Sequence, residues 1–165
     1  MNLRSALCAA VLLAAPLTAG EFDALAKTLR QTWPSCATVA IVCDTANSKA
    51  AVDAATGALS GMKVIVVDVK GSQDIGKAVT ALTSRHPDAV VLLPNDKMVG
   101  DGSSAASFLI QRMGAAKIPC VCTTEQGVKQ GAVFAVGPTT GGKVLGNAKA
   151  AGVIGVSLPA GAINN

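Results

Sequence analysis

The feature that most constrains this chain is a pattern of apolar runs that repeats five times between Ala37 and Val136. Each run is short and rich in β-branched residues, and a polar loop and a helix-like stretch separate it from the next. The runs span residues 37–43, 62–69, 88–93, 118–122 and 132–136. Strands buried on both faces of a parallel sheet have such continuous apolar runs, and their crossovers are right-handed. The sequence therefore predicts an α/β fold, an open doubly wound parallel five-stranded sheet in the order 2-1-3-4-5 with helices on both faces.

The first twenty residues have the layout of a secretory signal peptide. Arg4 supplies a positive charge, residues 6–13 form an apolar core, and small residues lead to a cleavage position after Ala19 or Gly20. The apolar stretch is shorter than a membrane-spanning helix requires, and the alternative is a buried N-terminal helix. We predict a signal peptide over residues 1–20, one α/β domain over residues 21–165, and a periplasmic or secreted location.

The composition argues against a nucleic-acid partner. The chain has 14 Lys and Arg against 10 Asp and Glu, and these charges are scattered along the sequence without a basic run. It has three Phe, one Trp and no Tyr, so it lacks the aromatic side chains on which bases stack. The modest net positive charge therefore affects solubility and does not indicate binding to nucleic acid. We predict no nucleic acid among the partners.

The cysteines and the single histidine predict neither a metal site nor a catalytic site. Cys36 and Cys43 lie at opposite ends of one predicted strand, and Cys120 and Cys122 lie two residues apart on another, which is poor geometry for disulfides. Buried apolar thiols are the simpler interpretation. His86 lies at a predicted helix end, away from any nucleophile, and the Gly-x-Ser-x-Gly motif is absent. We predict no metal, no cofactor and no enzymatic activity.

Eight polar residues follow the carboxyl ends of three predicted strands. They are Asp44, Asn47 and Ser48 after the first strand, Asn95, Asp96 and Lys97 after the third, and Thr124 and Glu125 after the fourth. The first and third strands flank the switch point of this strand order, so their loops are expected to face one crevice. Helix N-termini there favour an anionic group, and the acidic side chains favour an amine. We predict that these residues bind a small polar solute, amino-acid-like or anionic.

Each of these loops also has a purely local interpretation. Asn47 or Ser48 alone explains a helix N-cap, and Pro94-Asn95-Asp96 is typical of a solvated turn. Thr124 and Glu125 suit the cap and the acidic first turn of a short helix. The two interpretations are compatible, because a capping residue can also contact a solute.

A glycine-rich segment supplies a weaker alternative. Residues 137–143 (Gly-Pro-Thr-Thr-Gly-Gly-Lys) match Gly-x-x-x-x-Gly-Lys between the fifth strand and a predicted helix over residues 143–151, the context of a phosphate-binding P-loop. However, Val144 stands where Ser or Thr would hold magnesium, and no later strand is predicted to supply the second acidic ligand. A nucleotide-binding enzyme that uses this loop is therefore the weakest of the functional hypotheses.

Four short segments resemble a known family in their order and spacing. They are Val39-Ala40-Ile41-Val42 followed by Asp44-Thr45-Ala46-Asn47-Ser48, then Leu92-Leu93-Pro94-Asn95-Asp96, Lys117-Ile118-Pro119, and Val128-Lys129-Gln130-Gly131-Ala132. Over residues 37–150 the chain resembles the C-terminal lobe of ABC-transporter substrate-binding proteins of the type I periplasmic binding fold, including relatives that bind aromatic amino acids. The resemblance implies an exported solute-binding protein that works with a membrane permease or another partner protein.

The chain departs from this family in one respect. A full member has two lobes that close on the ligand, whereas this sequence predicts a single lobe. We therefore expect a second copy or a partner to cover the exposed surface, and we predict a homo-oligomer. The alternative is a structural or assembly protein that is built on the same lobe and binds no ligand.

Overall fold

The computed structural model describes residues 20–164, so the predicted signal peptide lies outside the described residues except for Gly20. The helices are α1 (Asp23–Thr32), α2 (Thr45–Ala58), α3 (Ser72–Arg85), α4 (Ser104–Ala115), α5 (Glu125–Lys129) and α6 (Ala148–Ile154). The strands are β1 (Thr38–Cys43), β2 (Lys63–Asp68), β3 (Ala89–Leu92), β4 (Cys120–Cys122), β5 (Phe134–Ala135), β6 (Leu145–Gly146) and β7 (Ile163–Asn164). Within residues 20–164, no helix is both long enough and apolar enough to cross a bilayer.

The predicted α/β fold and the order of the first five strands are confirmed. The sheet runs β2-β1-β3-β4-β5-β6-β7, and every pairing from β2 to β5 is parallel. Side chains alternate between the two faces of β1: Val39 and Ile41 pack in one core, whereas Ala40 and Val42 pack in the other. Helices α1, α2 and α6 cover the first face, and α3, α4 and α5 cover the second. The sheet is therefore doubly wound because its central strands are apolar on both sides.

The last part of the sheet corrects the sequence prediction. Within residues 20–164 the sheet has seven strands, and β6 runs antiparallel to β5, with Ala135 opposite Leu145. The helix predicted over residues 143–151 begins only at Ala148, after Asn147 caps it by accepting a hydrogen bond from the backbone N–H of Ala150 at 2.8 Å. The strand β7, in the tail whose structure the sequence left open, pairs in parallel with β6. β6 and β7 have two residues each and lie in no longer apolar run, unlike β5, which lies in the predicted run 132–136, so sequence analysis misses them.

Candidate functional site

The loop between β3 and α4 (residues 93–103, the β3–α4 loop) is bonded to the end of β1 by one carboxylate. Asp96 is 6% exposed, and its Oδ2 accepts hydrogen bonds from the backbone N–H of Asp44 at 2.9 Å and the hydroxyl of Ser48 at 2.5 Å. Its Oδ1 accepts from the backbone N–H groups of Met98 at 2.9 Å and Val99 at 2.8 Å. The two loops that were predicted to share one crevice therefore do meet, and Asp96 holds them together.

Asp44 caps α2, which corrects the prediction that Asn47 or Ser48 is the cap. Its Oδ1 accepts from the backbone N–H of Ala46 at 3.2 Å, and its Oδ2 accepts from Nδ2 of Asn47 at 2.5 Å. Ser48 departs from helical geometry, with φ −109° and ψ 16°, at the point where its hydroxyl binds Asp96. Asp44 is 7% exposed, so its carboxylate makes these hydrogen bonds beneath the protein surface.

The exposed side of this junction carries an amide and an ammonium group. Lys97 donates from Nζ to Oδ1 of Asn47 at 3.1 Å, and both side chains are exposed. Asn95 is also exposed and adopts a left-handed backbone conformation, with φ +58°. Gly100 packs so closely against Asp96 that a Cβ there would lie 2.3 Å from the Asp96 carbonyl oxygen. The loop therefore has a defined shape, which presents Asn95 and Lys97 to solvent beside the exposed Asn47 of α2.

Hydrogen bonds also join the β1–α2 junction to the edge strand β2. Oδ1 of Asp68 accepts from the hydroxyl of Thr45 at 2.7 Å and from its backbone N–H at 3.0 Å. These two hydrogen bonds from Thr45, with a smaller contribution from the nearby Lys70 ammonium, hold the pKa of Asp68 below its usual value. Asp68 thus remains ionised at the carboxyl end of β2.

The other end of the β3–α4 loop contacts the predicted third loop through a residue that sequence analysis missed. Thr124 caps α5, accepting from the backbone N–H of Gly127 at 3.4 Å, and its hydroxyl donates to Oδ2 of Asp101. Oδ1 of Asp101 is buried and has no hydrogen-bond partner. Burial raises the pKa of Asp101 to about 6, and the hydrogen bond from Thr124 only partly opposes this. In the sequence Asp101 is an ordinary loop residue, because its burial depends on contacts with residues 122–127.

Glu125 is exposed at the start of α5. Its carboxylate forms an ion pair with Lys129 one helical turn later, at 2.7 Å. Thr124 is joined through Asp101 to the last part of the β3–α4 loop. The structure brings all three predicted loops together at the carboxyl edge of the sheet; the assignment of the eight residues to solute binding stays a prediction.

A groove of about 590 Å³ lies beside Lys97, between the first turns of α3 and α4. Its lining includes Ser72, Ile75, Lys97, Met98, Ser103 and Phe108. The lining thus combines polar groups and one ammonium with apolar side chains, a combination typical of small-molecule sites. A second groove, of about 510 Å³, lies between α4 and α6 near Gly114 and Ile154, towards the amino ends of β4 and β5.

The glycine-rich segment does not have the structure of a P-loop. Residues 138–140 form a 3₁₀ turn, and the chain then enters strand β6 instead of a helix. The hydroxyl of Thr140 donates to the carbonyl of Lys143 at 2.6 Å, and that of Thr139 donates to the carbonyl of Thr123 at 2.7 Å. Because no helix begins at Lys143, the segment lacks the helix N-terminus on which phosphate binding by a P-loop depends. The sequence prediction of a strand–loop–helix unit is wrong here.

The prediction of buried apolar thiols is confirmed. Cys36, Cys43, Cys120 and Cys122 are free and buried. Burial raises the pKa of Cys36 to about 11 and those of Cys43 and Cys120 to about 12, so these thiols stay protonated at neutral pH. Within residues 20–164, no three His, Cys, Asp or Glu side chains are grouped closely enough to hold a metal ion.

The chain matches a known protein family and is similar in fold to solved structures. The family described as "ABC transporter substrate binding protein" matches residues 23–155. No curated protein matches the chain. A conserved domain protein from Vibrio cholerae has a TM-score of 0.72 and 17% sequence identity, and the match covers 86% of this chain and 59% of that one. This similarity shows a shared fold, and the chain spans 59% of the length of that structure.

Two further solved structures are more distant. A decarboxylase from Sulfurospirillum multivorans has a TM-score of 0.43 and 18% identity, over 64% of this chain and 29% of that chain. Cystathionine gamma synthase from Xanthomonas oryzae has a TM-score of 0.49 and 13% identity, over 82% of this chain and 38% of that chain. Neither similarity is strong enough to inform the function of this chain.

Proposed function

Since this chain belongs to the ABC transporter substrate-binding protein family, we propose that it is an exported, non-enzymatic protein that binds a small polar solute at the carboxyl edge of its sheet. In this proposal the protein works in the periplasm or outside the cell and delivers its solute to a membrane permease. The family supports the general role, and the geometry of the edge supports the place.

The observation that carries the proposal is the set of hydrogen bonds by which Asp96 joins two loops. Its four hydrogen bonds fix the β1–α2 junction and the β3–α4 loop relative to each other, so the exposed Asn47 and Lys97 occupy defined positions. A preorganised site loses less conformational entropy when a solute binds. The junction lies at the carboxyl ends of the paired strands β1 and β3, whose following helices α2 and α4 cover opposite faces of the sheet. This is the switch point, where open α/β folds hold ligands.

The groups left exposed favour an anionic part in the solute. Asp96 accepts two hydrogen bonds at each carboxylate oxygen, so it has no acceptor site left for an incoming amine. Asp44 accepts one at each oxygen and is 7% exposed, so it offers an amine little access. Lys97 offers an ammonium group, and Asn47 offers an amide. We therefore propose that a carboxylate or another anion binds at this junction. The apolar part of an amino-acid-like solute would enter the groove near Phe108.

A ligand screen with two variants tests this assignment. Amino acids and small carboxylates are screened by thermal shift, and each hit is then titrated by NMR against the wild type, Asn47→Ala and Lys97→Met. Both side chains are exposed, so neither change is expected to disturb the fold. We expect each variant to weaken binding about tenfold, the effect of one lost hydrogen bond to a charged group.

The control is Lys27→Met, which removes an exposed ammonium from α1 and should leave binding unchanged. Binding that survives both Asn47→Ala and Lys97→Met would refute the crevice assignment. Turnover of a solute by the purified protein would instead refute the proposal that the protein is not an enzyme.

A structural or assembly protein built on the same lobe is the second candidate. The use of Asp44 and Asp96 inside the junction favours it, because these carboxylates have a complete role without any ligand. The same screen separates the candidates: if a broad set of amino acids and anions gives no shift at millimolar concentration, the structural role is favoured over solute binding.

A further inference from the structure

The groove between α4 and α6 (the α4–α6 groove) lies at the opposite end of the sheet from the proposed solute site. Its walls include Ile110 and Gly114 of α4, and Ala150, Val153 and Ile154 of α6. Since α4 leads into β4, its last residues lie at the amino end of that strand, whereas the solute site lies at the carboxyl ends of the strands. The α4–α6 groove shares no lining residue with the groove at the carboxyl edge.

The walls of this groove carry apolar side chains that are still in contact with solvent. Val153 is 54% exposed, the highest value among the large apolar side chains of residues 20–164. Ile154 is half-buried beside it, and Ile110 is 4% exposed. Apolar surface gains free energy when it is removed from water, so these side chains favour a ligand that has an apolar body.

Gly114 leaves the groove open on the side of α4. A Cβ at this position would have no neighbouring atom within 4 Å, so the packing of α4 does not require a glycine there. Helix propensity also favours almost any other residue at an interior position of a helix. The open space is substantial, because the groove has a volume of about 510 Å³. Small-molecule sites usually have volumes of about 300 to 1,000 Å³, so the groove can hold a small molecule.

The charged groups around the groove are mostly positive. Lys129 and Lys149 line it, and none of the described lining residues is an Asp or a Glu. Lys129 already pairs with Glu125 at 2.7 Å, which offsets its charge. The exposed Lys149 has no acidic partner among residues 20–164. A further ammonium belongs to Lys117, which donates from Nζ to the carbonyl of Val153. Two positive charges beside the groove therefore have no carboxylate opposite them in this part of the chain.

We propose that the α4–α6 groove is a second binding site, for a small molecule with an apolar body and one anionic group, such as a medium-chain carboxylate. The apolar body contacts Ile110, Val153 and Ile154, and the carboxylate lies towards Lys149. Charge complementarity selects this class, because a cation of the same shape would be repelled and an uncharged molecule would leave the ammonium groups unpaired. This proposal does not rest on solute binding at the carboxyl edge.

NMR titration of the isotope-labelled protein with sodium octanoate tests the site. We expect the backbone signals of residues 110–115 and 149–154 to shift with one common dissociation constant. From hexanoate to octanoate the affinity should rise about two- to fourfold for each added methylene, because each one buries more apolar surface. Octyltrimethylammonium has the same apolar chain and the opposite charge, so it should bind at least about fivefold more weakly than octanoate.

Gly114→Leu fills the groove and should lower the affinity for octanoate at least about tenfold, because its side chain occupies the space of the apolar body. Gly57→Leu is the matched control: Gly57 is likewise the residue before the last of a helix, α2, and a Cβ there also meets nothing within 4 Å. Leucine favours helix over glycine, so neither variant should unfold at a lower temperature than the wild type. Lys149→Met should weaken octanoate binding about threefold, the effect of one exposed charge, and Lys27→Met should not.

The site-resolved signals separate this proposal from the solute site at the carboxyl edge. Shifts confined to residues 95–98 would overturn the second site while supporting the first, and shifts in α4 and α6 support the second site whatever happens at the edge. An absence of shifts in α4 and α6 at the highest octanoate concentration below micelle formation overturns the proposal. So does equal binding by Gly114→Leu and Gly57→Leu, or equal affinity for octanoate and octyltrimethylammonium.

Discussion

Asp96 and Asp101 lie in the same β3–α4 loop and have opposite environments. Asp96 accepts four hydrogen bonds, two at each carboxylate oxygen. Asp101 accepts one bond from Thr124, and its other oxygen is buried with no partner. Burial raises the pKa of Asp101 to about 6 because its charged form has lost water without gaining an equivalent set of donors.

This difference shows that burial alone does not make a carboxylate stabilising. Backbone N–H groups at the junction of two loops surround Asp96, so its charge helps to hold those loops together. Asp101 lies against α5, where Thr124 is its one donor among the contacts described for residues 20–164. We therefore expect the first turn of the loop to be firmly held by a charge, and its last turn to be more stable when Asp101 is neutral.

The largest expected effect is the loss of stability in Asp96→Ala. The substitution leaves the backbone N–H groups of Asp44, Met98 and Val99 without their acceptor, so we expect the free energy of unfolding to fall by about 4 kcal/mol. Urea denaturation measures it. As a control, Asp53→Ala removes an exposed carboxylate that pairs with Lys49 at 2.7 Å and should cost less than about 1 kcal/mol. Equal losses in the two variants would show that Asp96 does not hold the junction.

The second effect is a pH dependence that Asp101→Asn should remove. The pKa of Asp101 is raised from 3.8 to about 6 in the folded protein, so the folded state binds this proton more tightly than the unfolded state does. Its contribution to stability is complete below about pH 4 and is lost as the pH rises through about 6. Asparagine stays neutral and has no such loss.

Denaturant unfolding of the wild type and Asp101→Asn at pH 4 and pH 7 measures this effect. The difference in unfolding free energy between the two proteins should change by about 2 kcal/mol between these pH values, in favour of the variant at pH 7. Other titrating groups cancel in this difference. A difference that does not vary with pH would mean that Asp101 is well solvated or well paired.

The smallest effect comes from the neighbouring threonines 123 and 124. Thr124→Val removes the donor to Asp101 and the cap of α5, so we expect a loss of about 1 kcal/mol and a further rise in the pKa of Asp101. Thr123→Val is a matched control, because the hydroxyl of Thr123 is buried without a partner and its removal should be neutral or stabilising. Chemical denaturation and carboxyl NMR titration distinguish the two. Similar losses of stability in Thr124→Val and Thr123→Val would contradict the expected difference between the two hydroxyls.

Sequence analysis predicted the part of the molecule in which local patterns are strong. The long apolar runs gave β1, β2 and β3, and the strand order followed from right-handed crossovers between parallel strands. The meeting of the loops after β1 and β3 also followed, because parallel strands end at the same edge. The sequence prediction failed after residue 137, where the helix predicted over residues 143–151 begins only at Ala148 and the chain first forms the two-residue strand β6.

By itself, the sequence determined the fold class, the order of the first five strands and the edge at which polar residues gather, because all three depend on apolar periodicity and chain connectivity. Only the tertiary structure decided what each of those polar residues does. It made Asp44 the helix cap, Asp96 the residue that bonds two loops together, and Asp101 a half-buried acid with one buried, unpartnered oxygen. The physical reason is that a carboxylate's role depends on which donors surround it and on how much water remains, and residues distant in the sequence set both.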